Sequence, residues 1–331
     1  MFRTSKEFMR DARLRREMCH NLVSEQVHEM RKDEYSLRTA KIIARTIGSF
    51  RENISNSASS HAQQFMLKRG LKKFGAKGKS AAMEELLQQH QRACFEPVFV
   101  NEMSSSERRK AMISLMLLTE KKDGRLKGRQ VYNGKPTREW VTQENKSSPT
   151  VINEALTITA MIDAHEDRDV MGSDVPNAFV QVKLPEAENG EKVCMKIVGE
   201  LVGYLVEISP ETYAKYVVYE KNKKVLYVVV LKAIYGILQA SLLWYKELST
   251  KLEQIGFKFN PYDSCVCNRV VRGKQHTVRF HVDDILSSHV DPKVNDDFHL
   301  WLDKTFGKLK KVTVSRAVSY THLTLPTISS V

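Results

Sequence analysis

Apolar positions along this 331-residue chain recur first with helical spacing, then with strand alternation, and then with both in turn. In residues 5–48, Phe8, Leu14, Met18, Leu22, Val27 and Met30 are scattered among Arg, Lys and Glu, which predicts long, mostly exposed helix. Residues 53–62, rich in Ser, Asn and Ala, read as a linker. Helices are expected over 81–92 and 105–118, the second with Ser106 as its cap before Glu107. Residues 120–131 read as a β-hairpin turning at Asp123 and Gly124. Ser148 and Pro149 start a helix whose stripe, Ile152, Leu156, Thr159 and Ile162, runs to Asp163.

Further on, residues 169–175 read as a strand ending in Asp174, and Pro176 turns the chain because it lacks a backbone donor. Residues 193–205 and 217–231 are β-branched and Tyr-bearing and are expected to be strands around a polar insertion at 209–215. Residues 233–240 lead into a helix with the stripe Leu238, Leu242, Tyr245, Leu248, Leu252 and Ile255, stopped by Gly256. Strand signals return over 265–271 and 277–286. A last helix is capped by Asp291, has Pro292 at its first position, carries Val294, Phe298, Trp301 and Leu302, and stops at Gly307.

Composition narrows the class. With 42% hydrophobic and 27% charged residues the chain reads as globular and has room for two domains. Its formal charge is +13, of which residues 1–100 supply +8, so a polyanionic partner is expected. No signal peptide heads the chain and no run approaches the roughly 20 apolar residues of a membrane span, which favours nucleic acid over lipid. Five scattered cysteines, Cys19, Cys94, Cys194, Cys265 and Cys267, show no metal spacing and suit a reduced, intracellular protein. Residues 68–79 hold five Lys and one Arg among three glycines, which reads either as a patch tracking a phosphate backbone or as a flexible basic loop.

The stretch with the sharpest chemistry is 278–286, where Asp283 and Asp284 stand side by side between strand-like residues. Burying adjacent carboxylates is costly unless a cation offsets them, so the pair is either an exposed turn or a metal site. Asp174, at a strand end before a turn, is either a third ligand or an ordinary cap. Alternation in the 120–131 hairpin places Lys127, Arg129 and Val131 on one face, where the two cations either grip a triphosphate or protect a solvated edge strand. Gly236 permits close backbone approach and Gln239 sits at a helix start. A lone acid followed by a paired acid suits a polymerase, in which three carboxylates hold two Mg²⁺ about 3.5 to 4 Å apart.

These residues resemble the reverse transcriptase (RNA-directed DNA polymerase) of copia-type LTR retrotransposon Pol polyproteins, over about 95–316. Asp174 to Phe179 resembles the family's first palm motif. The run Tyr235, Gly236, Gln239, Ala240, Trp244, Tyr245 resembles the second and is the most specific match. His281, Val282, Asp283, Asp284 resembles the Tyr-x-Asp-Asp catalytic hairpin, with His281 where most of the family has Tyr.

The resemblance implies an α+β right-hand polymerase fold: fingers over 95–165 and a palm over 166–316, an antiparallel sheet with helices on one face. Residues 1–94 would be a basic, mostly helical extension or connector. It implies Asp174, Asp283 and Asp284 as catalytic metal ligands with the Val175 carbonyl, two Mg²⁺ (Mn²⁺ as substitute), and nucleotide contacts from Lys127, Arg129, Phe179 and Gln239. Phe179 would lie under the sugar and exclude a 2′-hydroxyl, and Gly236 and His281 would face primer or template. Implied partners are an RNA or DNA template with primer, deoxynucleoside triphosphates, and integrase and RNase H as polyprotein neighbours, in a cytoplasmic retroelement particle or the nucleus. After Arg316 the family continues into primer grip, thumb and RNase H. Residues 317–331 instead read as a non-native tail, because 317–328 resemble translated read-through of a sequencing adapter. A thumb is therefore expected to be missing, and the competing function is an inactive, truncated nucleic-acid-binding remnant. Nothing before residue 95 resembles an integrase triad.

Overall fold

A computed structural model describes residues 64–121, 124–136, 148–185, 192–307 and 310–316. The helix and linker expected over 5–48 and 53–62, the Asp123 of the hairpin turn, and the tail at 317–331 lie outside the described residues. The rest is a mixed α/β structure of two sheets and seven α-helices.

The first sheet has the order β1-β3-β6-β8-β2, with β4 on β3 and β7 on β8. Its strands are β1 (Gln64–Met66), β2 (Phe95–Pro97), β3 (Met112–Glu120), β4 (Leu126–Tyr132), β6 (Cys194–Val198), β7 (Val218–Glu220) and β8 (Lys223–Val230). Among the described residues only β3 and β6 pair in parallel. The run of branched residues in β8 is explained by burial on both faces: Leu226, Val228 and Val230 enter one core and Val225, Tyr227 and Val229 another. Helices α1 (Leu67–Gln91) and α4 (Glu200–Ile208) cover the larger core.

The second sheet is antiparallel, in the order β13-β5-β12-β11-β10-β9. It comprises β5 (Asp169–Asp174), β9 (Lys258–Phe259), β10 (Val266–Val271), β11 (Lys274–His281), β12 (Asp284–His289) and β13 (Thr313–Arg316). Helices α6 (Ala240–Gln254) and α7 (Pro292–Phe306) pack Trp244, Leu248, Leu252, Phe298, Leu302 and Phe306 against Val278, Phe280 and Ile285. The expectation of helices on one face needs correction. Thr277 and Arg279 alternate to the opposite face, where Asp163 of α3 (Asn153–His165) pairs with Arg279 at 2.7 Å and Arg168 donates to Thr277 at 3.0 Å.

Three local expectations are also corrected. Residues 105–118 are not one helix. A short α2 (Ser105–Lys110) gives way to β3, whose Ser114, Met116 and Leu118 alternate into the core. Its cap is Ser104, in a reciprocal capping box with Glu107 at 3.1 and 2.8 Å. Residues 193–205 are not one strand. Gly199, at φ 70°, ends β6 and opens α4, which buries Leu201, Val202 and Leu205 at helical spacing. The basic stretch 68–79 is helical, with its kink at Gly75, where φ is 53°.

Helix α1 also packs where a separate extension was expected. Ala81, Ala82 and Leu86 share the first core with Met116 and Leu118. A Cβ on Gly128 would lie 2.4 Å from the Ala81 carbonyl oxygen, so the helix lies directly on β4. A four-residue helix α5 (Pro210–Tyr213) completes the set.

Candidate active site

Sheet register brings the three acids together. Asp284, the first residue of β12, is the Cα partner of Asp174, the last residue of β5, and Asp283 precedes it in the turn from β11. His281 and Asp284 close that turn, leaving Val282 and Asp283 as its two central residues. Val282 has φ 57° while Asp283 does not have positive φ, the sign pattern of a type II′ turn, which ordinarily has Gly first. A β-branched residue there is a strained arrangement held by its surroundings. The Asp283 carbonyl accepts from the Val175 N–H at 3.2 Å, and the Val282 carbonyl accepts from the Trp244 indole N–H at 2.7 Å. On the other side of β5, Thr313 donates to the Asp174 carboxylate at 3.4 Å.

The acids repel one another. Burial raises the pKa of Asp283, and the Asp174 charge adds to that while Arg129 and Lys127 oppose it. Asp284 is raised by loss of hydration, then by Asp283 and Asp174, with His281 opposing. Asp174 and Asp284 are exposed at their strand ends. Among the described residues no group of three His, Cys, Asp or Glu side chains is arranged to hold a metal as it stands. The donor set nevertheless suits one: three hard carboxylates at one sheet end are electrostatically unfavourable together, and a divalent cation reverses that.

Opposite the acids stands the β4 face. Lys127, Arg129 and Val131 lie on the more open side, while Gly128, Gln130 and Tyr132 are buried against α1, which matches the alternation expected from sequence. The Arg129 guanidinium stacks 4.2 Å from the centre of the Tyr235 ring, and Phe179 meets the same ring edge-on at 5.1 Å. Tyr235 therefore lies between the cation and the aromatic read as nucleotide contacts. Its hydroxyl pKa is raised by burial, with Arg129 opposing and Asp283 and Asp174 adding. Partial desolvation lowers the Lys127 pKa, helped by Arg129, Lys121 and Lys310. Glu85 of α1 accepts from the Gln130 N–H at 3.1 Å, and its pKa is raised by burial and opposed by Lys127 and Arg129.

The remaining candidates separate. Gly236, at φ 92°, has its open side filled by the chain itself: a Cβ there would lie 1.9 Å from the Tyr132 carbonyl oxygen. Tyr132 in turn donates its N–H to the Tyr235 carbonyl at 2.7 Å, so packing explains this glycine without a ligand. Gln239 sits before α6, where its carbonyl accepts from Leu243 at 2.9 Å. Phe179 lies on a 3-10 turn that begins after Asn177, a residue in the left-handed region whose side chain donates to Gln88 of α1 at 3.0 Å.

Sequence reasoning placed Tyr235 and Trp244 in the second motif without an individual role, and passed over Glu85 and Lys310. The spacing of Ala240, Trp244, Leu248 and Leu252, all buried, was the available signal for Trp244.

A family model, reverse transcriptase (RNA-dependent DNA polymerase), matches residues 103–320, about two thirds of the chain. The chain belongs to that family. Membership indicates a reverse-transcriptase-like function, with a nucleic-acid template and primer and deoxynucleoside triphosphates as the family's substrates and Mg²⁺ as its general cofactor. A search of curated proteins finds no match. The reverse-transcriptase match contains Asp174, Asp283, Asp284, Lys127 and Arg129, whereas α1, which supplies Glu85 and Gln88, precedes it. Among the described residues no helix is long and apolar enough to cross a membrane.

Proposed function

We propose that this chain carries the fingers and palm of a copia-type retrotransposon reverse transcriptase and extends a primer 3′-hydroxyl on an RNA or DNA template. The first sheet's β3–β4 hairpin serves as the fingers and the second sheet as the palm. The observation that carries the reading is the β5–β12 register, which sets Asp174 beside Asp284 with Asp283 in the adjoining turn.

Asp174, Asp283, Asp284 and the Val175 carbonyl hold two Mg²⁺ ions, which Mn²⁺ can replace. When bound, the ions supply activation of the primer hydroxyl and neutralisation of triphosphate charge. Arg129 binds phosphate oxygens through its fork of donors and Lys127 as a point charge. Tyr235, stacked under Arg129, keeps the guanidinium facing the acids. Phe179 packs against the nucleotide sugar, and Gln239 contacts the nucleotide or template. His281 stands beside Asp284, where it faces the primer end. In the reaction the primer hydroxyl releases its proton to solvent as its oxygen bonds to the α-phosphorus, the bond from the α-phosphorus to the bridging oxygen breaks, and pyrophosphate leaves with that electron pair.

Primer extension by the full chain, compared with Asp283→Asn, tests the reading. Extension by the wild type and its loss in the variant are expected. Equal activity would contradict the assignment, and salt-dependent nucleic-acid binding without extension would favour a binding remnant.

A further inference from the structure

The turn carrying Asp283 has no glycine or asparagine to relieve it, yet Val282 adopts φ 57°. Both central carbonyls of that turn are held. One accepts from the backbone just past Asp174, at 3.2 Å from Val175, and the other accepts from the Trp244 indole at 2.7 Å. Trp244 is 1% exposed, Phe306 packs edge-on against it at 5.1 Å, and Leu248 one turn later shares the same core. The indole is thus fixed by helix packing before it meets the turn. Buried this deeply, the indole N–H needs an acceptor, and the one it meets is the carbonyl of the strained turn.

We propose that Trp244 is a positioning residue for the paired acids. Its indole N–H holds the Val282 carbonyl, keeps the strained turn in the form that presents Asp283 and Asp284 beside Asp174, and thereby sets the affinity of the acid cluster for divalent cations. The proposal rests on reading those acids as a metal site. It explains why a helix that follows the loop at Gly236 also bears on the hairpin, whose Val282 comes 38 residues after Trp244: α6 couples the two through one hydrogen bond.

The test is Mn²⁺ binding by the full chain, followed by electron paramagnetic resonance, for wild type, Asp283→Asn, Trp244→Phe and Trp244→3-benzothienylalanine. The last keeps the bicyclic ring and replaces the N–H with sulfur. Both Trp244 variants are expected to bind Mn²⁺ about three- to tenfold more weakly than wild type, the effect of one lost hydrogen bond. Wild-type affinity in the benzothienyl variant would overturn the proposal. That variant decides the matter alone if Trp244→Phe fails to fold. Asp283→Asn reads the underlying site separately: if it binds like wild type, or if wild type binds no Mn²⁺, the metal reading fails. If Asp283→Asn is weakened and the benzothienyl variant is not, only the role of Trp244 fails.

Discussion

The first sheet buries mainly hydrocarbon, with β8 contributing Leu226, Val228 and Val230 to one core and Val225, Tyr227 and Val229 to another, beside a buried polar pair in which Gln130 donates to Ser114 at 2.7 Å. The second sheet buries polar and charged groups as well. Asp163 and Arg279 form an ion pair in which both side chains are almost fully enclosed. On the other face Arg269 donates to His276 Nδ1 at 3.1 Å, so His276 carries its proton on Nε2 and donates to Ser287 at 2.8 Å. Ser287 donates to Asn295 at 2.6 Å, and Asn295 donates to the Asp169 carbonyl and carboxylate at 2.8 and 2.7 Å. The contrast follows from what each sheet presents at its end. Hydrocarbon cores accept repacking, whereas directional bonds define register. A one-residue slip of β12 against β5 would turn Asp284 away from Asp174. The sheet holding three like charges in register is the one with an enclosed ion pair and a continuous chain of directional bonds.

The largest expected effect removes one of those charges. Asp283→Asn should reduce primer extension by about 100-fold or more. It should also raise the melting temperature of the metal-free protein at pH 7. Because the folded pKa of Asp283 is above the unfolded value, the folded state binds the proton more tightly. Stability from this group is therefore greatest below the ordinary Asp range and falls as pH rises through the raised value. A melting curve in chelator that shows Asp283→Asn less stable than wild type would contradict the electrostatic account.

Next in size is the buried ion pair. Asp163→Ala leaves Arg279 enclosed without its partner and should lower unfolding free energy by about 3 to 5 kcal/mol. Replacing both, Asp163→Leu with Arg279→Met, should recover most of that loss in urea titrations. Recovered stability without recovered extension would show that the pair serves alignment of the sheet. Recovery of both would weaken the contrast between the two sheets.

A smaller, pH-dependent effect belongs to His276. Burial first, then Arg269, His289 and Arg168, push its pKa down to about 3. The unfolded chain binds that proton below about 6.5, so stability should fall as pH drops from there toward 3. His276→Gln should flatten that part of the stability profile, and an unchanged slope would show that the imidazole is not the group responsible.

The smallest expected effect lies on the cationic face. Arg129→Lys removes both the fork and the stack on Tyr235 and should raise the nucleotide KM about tenfold with a smaller change in kcat. A reduced kcat with unchanged KM would place Arg129 outside nucleotide binding.

Much of this was readable before the structure, though unevenly. Asp291, Pro292 and Gly307 bound α7 as their types require, because caps and stops act through local backbone groups. The alternation of Lys127 and Arg129 held because strand geometry has period two. Residues 193–205 and 105–118 were misjudged because their apolar content suits either element. Gly199 and the pairing of β3 with β4 decided between them, and the second is a tertiary effect. The basic stretch 68–79 was read as either a phosphate-tracking patch or a flexible loop, and its helix was not foreseen. Gly70 and Gly78 give Leu118 room against α1. The roles of Tyr235 and Trp244 depend on contacts made across the chain, to Arg129 and Val282, that no local pattern encodes.

The central claim is that Asp174, Asp283 and Asp284 act as one divalent-cation site. Calorimetric titration of the full chain with Mg²⁺ and Mn²⁺, beside Asp174→Asn and Asp283→Asn, tests it most directly. The account predicts saturable binding by the wild type that either substitution weakens at least about tenfold. Binding that survives both substitutions unchanged, or no binding by the wild type, would contradict it.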